Sequence, residues 1–534
     1  MKNLLLEMVA VPSISGTFQE KEMSRKVTEI LRRMDYFQAH PHLIFEKELQ
    51  DDPLGRSYVA ALMRGGGGSG RTIILLNHFD VVDTADYGDL ANLAFSPLPL
   101  AAALEKLTLA PSVRQDLKAG SYLFGRGTAD MKAGTALQLA VLQHLSRAEE
   151  GFRGNLLFLS LPDEEGSSRG ALEALPFLSR LGEQFNLTYE AVINCEPAFP
   201  DYPGDEGRYI YTGSMGKVIA MFYCYGREAH AGEPMSGLNG HRLAAEICRL
   251  LEGNTDFCES LGPVTTPPPS CLKHLDFKRL YSVQIPHNAA SYYNLFLLNK
   301  NPRELLYRLK SLAFQAFENV LSCLNDEREK FSLRKKTPFS PVEWQPSVYT
   351  YQEFCRQFLS GEEEFSKEEA GDPEGRIDPR ERALRLVDRI HGLGRESSPK
   401  IIVGFLPPYY PSVTVTGRNA REERLLSTVK EVVQLARLQG LEIKCCPSFP
   451  GLSDLSFFNL HSGEGLMSSL TDNMPGYGKL YHLPLEDIGS LQVPVVNIST
   501  SGKDVHKYTE RVDLTYSFDV LPPLILQAIQ SILS

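Results

Sequence analysis

Apolar residues along this chain gather in short unbroken runs that stop abruptly at His, Asp or Glu. Ile73 to Leu76 is one such run, and it ends at His78-x-Asp80. Asn155-Leu-Leu-Phe-Leu-Ser-Leu161 leads into Pro162-Asp163-Glu164-Glu165-Gly166, and Glu190-Ala-Val-Ile193 leads into Asn194-Cys195-Glu196-Pro197. Near the end, Val493-Pro-Val-Val-Asn-Ile498 leads into Ser501-Gly502-Lys503-Asp504-Val505-His506. A short continuous apolar run bounded by turn signals reads as a strand buried on both faces. Open α/β sheets built from such strands bind ligands beyond the carboxyl ends. One polar strand ending is ordinary; four that deliver His, Asp or Glu to one sheet edge predict a metal centre.

Elsewhere the apolar spacing is helical. Met23, Val27, Leu31 and Met34 share one face of a helix over 19–34, and Leu137, Val141 and Leu145 mark another after Gly134. Gly125-Arg-Gly127-Thr128-Ala129-Asp130-Met131-Lys132-Ala133-Gly134 leads into that second helix. Asp130 therefore lies at or near its N-terminus, as a cap or as a ligand. Gly65-Gly-Gly-Gly-Ser-Gly70 reads as a hairpin loop, without the Lys-Ser/Thr ending of a phosphate-binding loop.

From Tyr209 the texture changes to alternating strands, a helix near 238–252, a Pro-rich loop at 263–269, a strand at about 281–298 and a long helix near 302–329. This order predicts an α/β protein. A mixed open sheet flanked by helices is made from 1–212 and 398–534, with an α+β unit inserted at 213–397. A buried strand at Pro399-Lys-Ile-Ile-Val403 resumes the first unit, and a helix follows near 420–438. Residues 360–382 are acidic and poor in apolar groups, which predicts a solvated excursion.

Composition narrows the class. A length of 534 residues exceeds the size at which single cores stop growing. Hydrophobic residues at 43% and charged residues at 23% fit a soluble globular protein. A formal net charge of -11 argues against nucleic acid and anionic membrane as partners. No apolar run is long enough to span a bilayer, and Met1 to Glu7 is too weakly apolar for a signal peptide. Nine scattered cysteines without a C-x-x-C pair predict reduced thiols in a cytoplasmic protein.

Taken in order, His78-x-Asp80, Gly127-x-x-Asp130-x-Lys132-x-Gly134, Asp163-Glu164-Glu165-Gly166, Glu196-Pro197, His230-x-x-x-Pro234-x-x-Gly237-x-Asn239 and the late His506 resemble the co-catalytic zinc peptidase family. Aminoacylases, acetylornithine deacetylase, succinyl-diaminopimelate desuccinylase and carboxypeptidase G belong to it. Length and the long inserted segment look most like its bacterial arginine-utilisation members.

The resemblance implies two divalent metal ions, zinc first, with manganese or cobalt as alternatives. His78, Asp130 and Glu196 would hold one ion and Asp130, Glu165 and His506 the other, with Asp130 bridging. It also implies that Asp80 fixes the tautomer of His78 and that Glu164 is the general base for attack of a metal-activated water on an amide. His230 would complete the active site from the inserted unit of a partner chain in a homodimer, with Asn288 and Asp454 at substrate-binding positions. The implied substrate is a small peptide or N-acyl amino acid; the alternative is a non-catalytic metal-binding or regulatory protein on the same scaffold. Three departures stand out. Leu455-Ser456, without an arginine, follows Gly451-Leu-Ser-Asp454. Val81-Val82-Asp83 replaces the proline that usually follows His-x-Asp. The strand on which many members carry an arginine for a substrate carboxylate reads Asn288-Ala-Ala-Ser-Tyr292-Tyr293-Asn294-Leu295.

Overall fold

A computed structural model describes residues 1–148, 151–200, 202, 204–278, 280–358, 378–393, 397–460 and 464–534. The fold is mixed α/β. The buried apolar runs form the larger of two main sheets, in the order Ile44–Glu48, Ser57–Arg64, Asn155–Leu161, Arg71–His78, Thr188–Asn194, Val495–Ile498, Tyr209–Tyr211, Lys444–Cys446. The four middle strands, Asn155–Leu161 to Val495–Ile498, are mutually parallel. Their carboxyl ends therefore share one edge, with His78 opposite Leu161 and Asn497 opposite Asn194. Antiparallel pairings join Ser57–Arg64 and Tyr209–Tyr211 to this block.

Every residue of Asn155–Leu161 is buried, as unbroken hydrophobicity requires when both faces are covered. Helices Ala133–Ser146 and Leu521–Leu533 pack on the central strands. Helix Gln19–Arg32 lays Met23, Val27, Ile30 and Leu31 against Ser57–Arg64. Among the described residues no helix is long and apolar enough to cross a membrane.

The glycine run is not a hairpin loop. Ser57–Arg64 and Arg71–His78 are not neighbours, because Asn155–Leu161 lies between them. The connection must pass the end of that intervening strand, and a Cβ on Gly65 would lie 2.2 Å from the Phe152 carbonyl oxygen. Close backbone approach is what Gly65 and Gly70 supply, since a Cβ on Gly70 would lie 2.3 Å from the Asn186 carbonyl oxygen, whereas Gly67 and Gly68 stand in open space.

The second sheet has the order Ser270–Asp276, Asn288–Leu297, Gly216–Tyr225, Lys400–Tyr410, Val348–Thr350. The strand expected at about 281–298 begins at Asn288, and the long helix extends from Pro302 to Lys335. Asn301 caps that helix by accepting from the Glu304 N–H. Side chains of Gly216–Tyr225 alternate. Val218, Ala220, Phe222 and Cys224 join the core shared with helices Gly240–Leu251 and Pro302–Lys335. Ile219, Met221 and Tyr223 face Phe354 and the helix Pro379–Leu393.

One strand assignment is overturned. Lys400–Tyr410 does not resume the first sheet; it pairs antiparallel with Gly216–Tyr225 in the second. Both faces of the second sheet's central strands are covered, so Gly216–Tyr225 and Lys400–Tyr410 carry the same apolar texture as the strands of the first. The chain returns only after Tyr410, where Val413–Thr414 pairs with Gly213–Ser214, setting the two crossings side by side. Of the acidic stretch, 360–377 lies outside the described residues.

Candidate metal centre

The shared strand edge brings five donors together. His78 closes its strand and is buried, with Nε2 3.1 Å from Asp130 Oδ1 and 3.5 Å from Glu196 Oε1. The other oxygen of Asp130, Oδ2, is 3.2 Å from His506 Nε2, which is also 2.9 Å from Glu165 Oε1. The donor atoms of His78, Asp130 and Glu196 all lie within 4.8 Å of one another, as do those of Asp130, Glu165 and His506.

Local structure explains why these side chains converge. His78 Nδ1 lies 3.0 Å from the Asp80 carbonyl oxygen; a proton on Nδ1 donates there and leaves Nε2 as the free electron pair. The Asp80 carboxylate, 3.6 Å from the same Nδ1, accepts from the Glu164 and Glu165 N–H groups at 3.1 Å each. Asp80 thus ties the His78 strand to the loop after Leu161. That loop turns on Asp163, whose φ of 67° is left-handed and whose carbonyl accepts from Gly166, Ser167 and Ser168. Arg56 clamps the turn through Asp163 Oδ1 at 2.7 Å, and Glu20 accepts the Asp163 N–H at 2.8 Å.

Asp130 is held from behind. Glu510 Oε1 accepts from the N–H groups of Ala129 and Asp130, while Oε2 is 2.7 Å from Arg126 Nη1. Both ion-pair partners are almost wholly buried. A Cβ on Gly134 would lie 2.5 Å from the Cys195 carbonyl oxygen, so glycine lets the helix after Asp130 approach the strand end that carries Glu196. Lys132 is buried, donates to the Met8 and Val11 carbonyls, and is pushed down to about 7 by burial.

The electrostatics describe a site in need of cations. Burial pushes Glu196 up to about 8 and raises Glu164 well above the usual carboxylate range, the latter with help from Asp454, Glu165 and Glu196. Against burial, hydrogen bonds to Asp130 and Glu165 push His506 up to about 11. Burial also pushes Asp454 up to about 7, against a hydrogen bond from Ser168. Six carboxylates stand close together here, Asp80, Asp130, Glu164, Glu165, Glu196 and Asp454, beside two imidazoles. Buried charges of one sign require compensation, and a set of imidazole nitrogens and carboxylate oxygens suits divalent cations such as zinc.

Not every sequence candidate joins this cluster. Asp454 lies close enough for its charge to act on Glu164. His230 instead accepts from the Gly232 N–H at Nδ1, and its backbone bridges to Gln284. Asn288 donates to Asp388, which Tyr223 also approaches at 2.6 Å. The supporting pairs Arg126–Glu510 and Arg56–Asp163 join residues far apart in the chain, so no local spacing in the sequence announces them.

Residues 74–488 match the profile of peptidase family M20/M25/M40. The uncharacterised YqjN of Bacillus subtilis is 38% identical over 539 residues, covering 99% of this chain and 96% of that one. Protein RocB of the same organism is 32% identical over 527 residues, covering 98% and 93%. Among solved structures, a tripeptidase from Staphylococcus aureus superposes with a TM-score of 0.54 at 15% identity, covering 100% of this chain and 97% of that one.

Proposed function

Because the chain belongs to peptidase family M20/M25/M40, we propose that it is a metal-dependent hydrolase of amide bonds in small peptides or N-acyl amino acids. The observation that carries this reading is the division of one carboxylate: Asp130 offers one oxygen beside His78 and the other beside His506. His78, Asp130 and Glu196 would hold one divalent cation and Asp130, Glu165 and His506 a second. When bound, such ions lower the pKa of a water molecule and polarise a carbonyl.

The chain's own residues then have distinct tasks. Glu164 is buried, and its Oε2 lies 3.9 Å from His78 Nε2. It takes the proton from the attacking water and delivers it to the departing amine, as a general base that becomes a general acid. Asp80 keeps Glu164 in position through the backbone of the loop. Asp454 stands beside Glu164 and contributes to substrate binding. His230 donates to the developing negative charge on the carbonyl oxygen of a partner chain's substrate.

The test is hydrolysis of a panel of dipeptides and N-acyl amino acids with added zinc, manganese or cobalt. Metal-dependent turnover of at least one compound supports the reading; none across the panel, with metal shown to be bound, contradicts it.

A further inference from the structure

Three polar side chains of the inserted unit meet where helix Gly240–Leu251 starts beside strand Ser270–Asp276. His241 is the second residue of that helix, and Asn239 Oδ1 accepts its N–H at 2.9 Å. The strand is an edge of the second sheet. His274 and Asp276 are two residues apart on it and share one face. His241 Nε2 lies 3.1 Å from Asp276 Oδ2, and His241 Nδ1 lies 3.5 Å from His274 Nε2.

The hydrogen bond from His241 holds Asp276 below the usual carboxylate range. An ionised carboxylate only accepts, so the proton of neutral His241 sits on Nε2 and Nδ1 is a bare electron pair facing His274. Partial desolvation, then the nearness of His241, lowers the pKa of His274, which leaves it neutral and able to ligate at pH 7. At 3.5 Å the two nitrogens are beyond good hydrogen-bond range. They match two ligands on one ion instead: metal–nitrogen bonds of about 2.0–2.1 Å at the tetrahedral angle set the nitrogens about 3.4 Å apart.

We propose that His241 Nδ1 and His274 Nε2 bind a further divalent transition-metal ion, with Asp276 orienting His241 from behind. A carboxylate–histidine–metal line fixes the tautomer and raises the basicity of the ligand. Imidazole donors favour zinc, copper or nickel over magnesium and calcium. Among the described residues no third His, Cys, Asp or Glu completes the set, so water takes the other positions. The His241 side chain is 37% exposed and that of Asp276 32%, which lets the ion enter from solvent. Position gives the site a consequence. The segment 226–239 runs into the start of the helix, and the chain leaves the strand after Asp276 to return at 280–287. These two segments form a paired arm: the Ala231 N–H donates to the Val283 carbonyl, the Ile285 N–H to that of Ala229, and His230 bridges to Gln284. Gly240, just before His241, donates to the Pro286 carbonyl. An ion between His241 and His274 therefore clips the root of the arm that carries His230. The site itself does not depend on the amide-hydrolase reading.

The test uses the zinc-loaded full chain as parent, His241→Gln, His274→Gln and Asp276→Asn, each shown to be folded by circular dichroism. Copper(II) is the first probe, because zinc is silent in electron paramagnetic resonance. One equivalent added to the parent is expected to show two coupled imidazole nitrogens without releasing zinc. Either Gln variant loses that signature. Asp276→Asn keeps it, with affinity lower by about ten- to a hundredfold. Zinc is the second probe: dialysed against the same free zinc, the parent should hold one ion per chain more than either Gln variant. Binding of that ion should slow hydrogen exchange in 226–239 and 280–287 of the parent and leave His274→Gln unchanged. Uptake of copper and zinc that is equal in the parent and both Gln variants overturns the site, as does copper that enters only by displacing zinc. Parent affinity in Asp276→Asn overturns the role of the carboxylate, and unchanged exchange in the parent with the ion bound overturns the clip.

Discussion

Asp130 serves two histidines at once, His78 at 3.1 Å from one oxygen and His506 at 3.2 Å from the other. Asp130→Ala should therefore lose both divalent ions, whereas Glu196→Ala or His506→Ala should weaken mainly one. Metal analysis of dialysed protein checks this, and an Asp130→Ala variant that retains parent metal content would remove the bridging role. His78, Glu165, Glu196 and His506 stand out in the sequence because each ends or follows an apolar strand run, whereas Asp130 precedes a helix, where an aspartate reads equally as a cap. Glu510 does not, since its partner Arg126 lies 384 residues away and no local spacing joins them.

At the level of elements, the strand edge is only as fixed as the segments that back it. The Arg126–Glu510 pair holds the Asp130 turn and is closed to water. Removing one partner leaves an uncompensated buried charge, so Glu510→Ala should destabilise the fold by about 3–5 kcal/mol. Urea unfolding reads this directly, and weaker metal retention in the folded variant should accompany it. A loss under about 1 kcal/mol, the range of exposed pairs, would show that the pair does not support the turn. Elements with strong periodicity, such as Gln19–Arg32, and the four parallel strands were legible as elements. The sheet to which Lys400–Tyr410 belongs was not, because hydrophobicity reports burial and not the neighbour that provides it.

For the whole molecule, the expected homodimer makes a separate prediction. His230 has its described contacts within its own part of the chain, at Gly232 and Gln284. If it serves a partner's site, mixing inactive His230→Ala and Glu164→Gln variants should restore one intact site per mixed dimer, about half of parent activity by symmetry. No recovery after proven subunit exchange would mean that His230 works in its own chain or has no catalytic part. The central claim, amide hydrolysis at a metal centre with Glu164 moving the proton, is tested most directly by turnover of a hydrolysed compound as zinc is returned to metal-free protein. Activity should rise from nothing to a plateau by two zinc ions per chain. Glu164→Gln should bind the same zinc and turn over about two to four decades more slowly. Activity that persists in metal-free protein, or a Glu164→Gln variant working at the parent rate, would contradict the account.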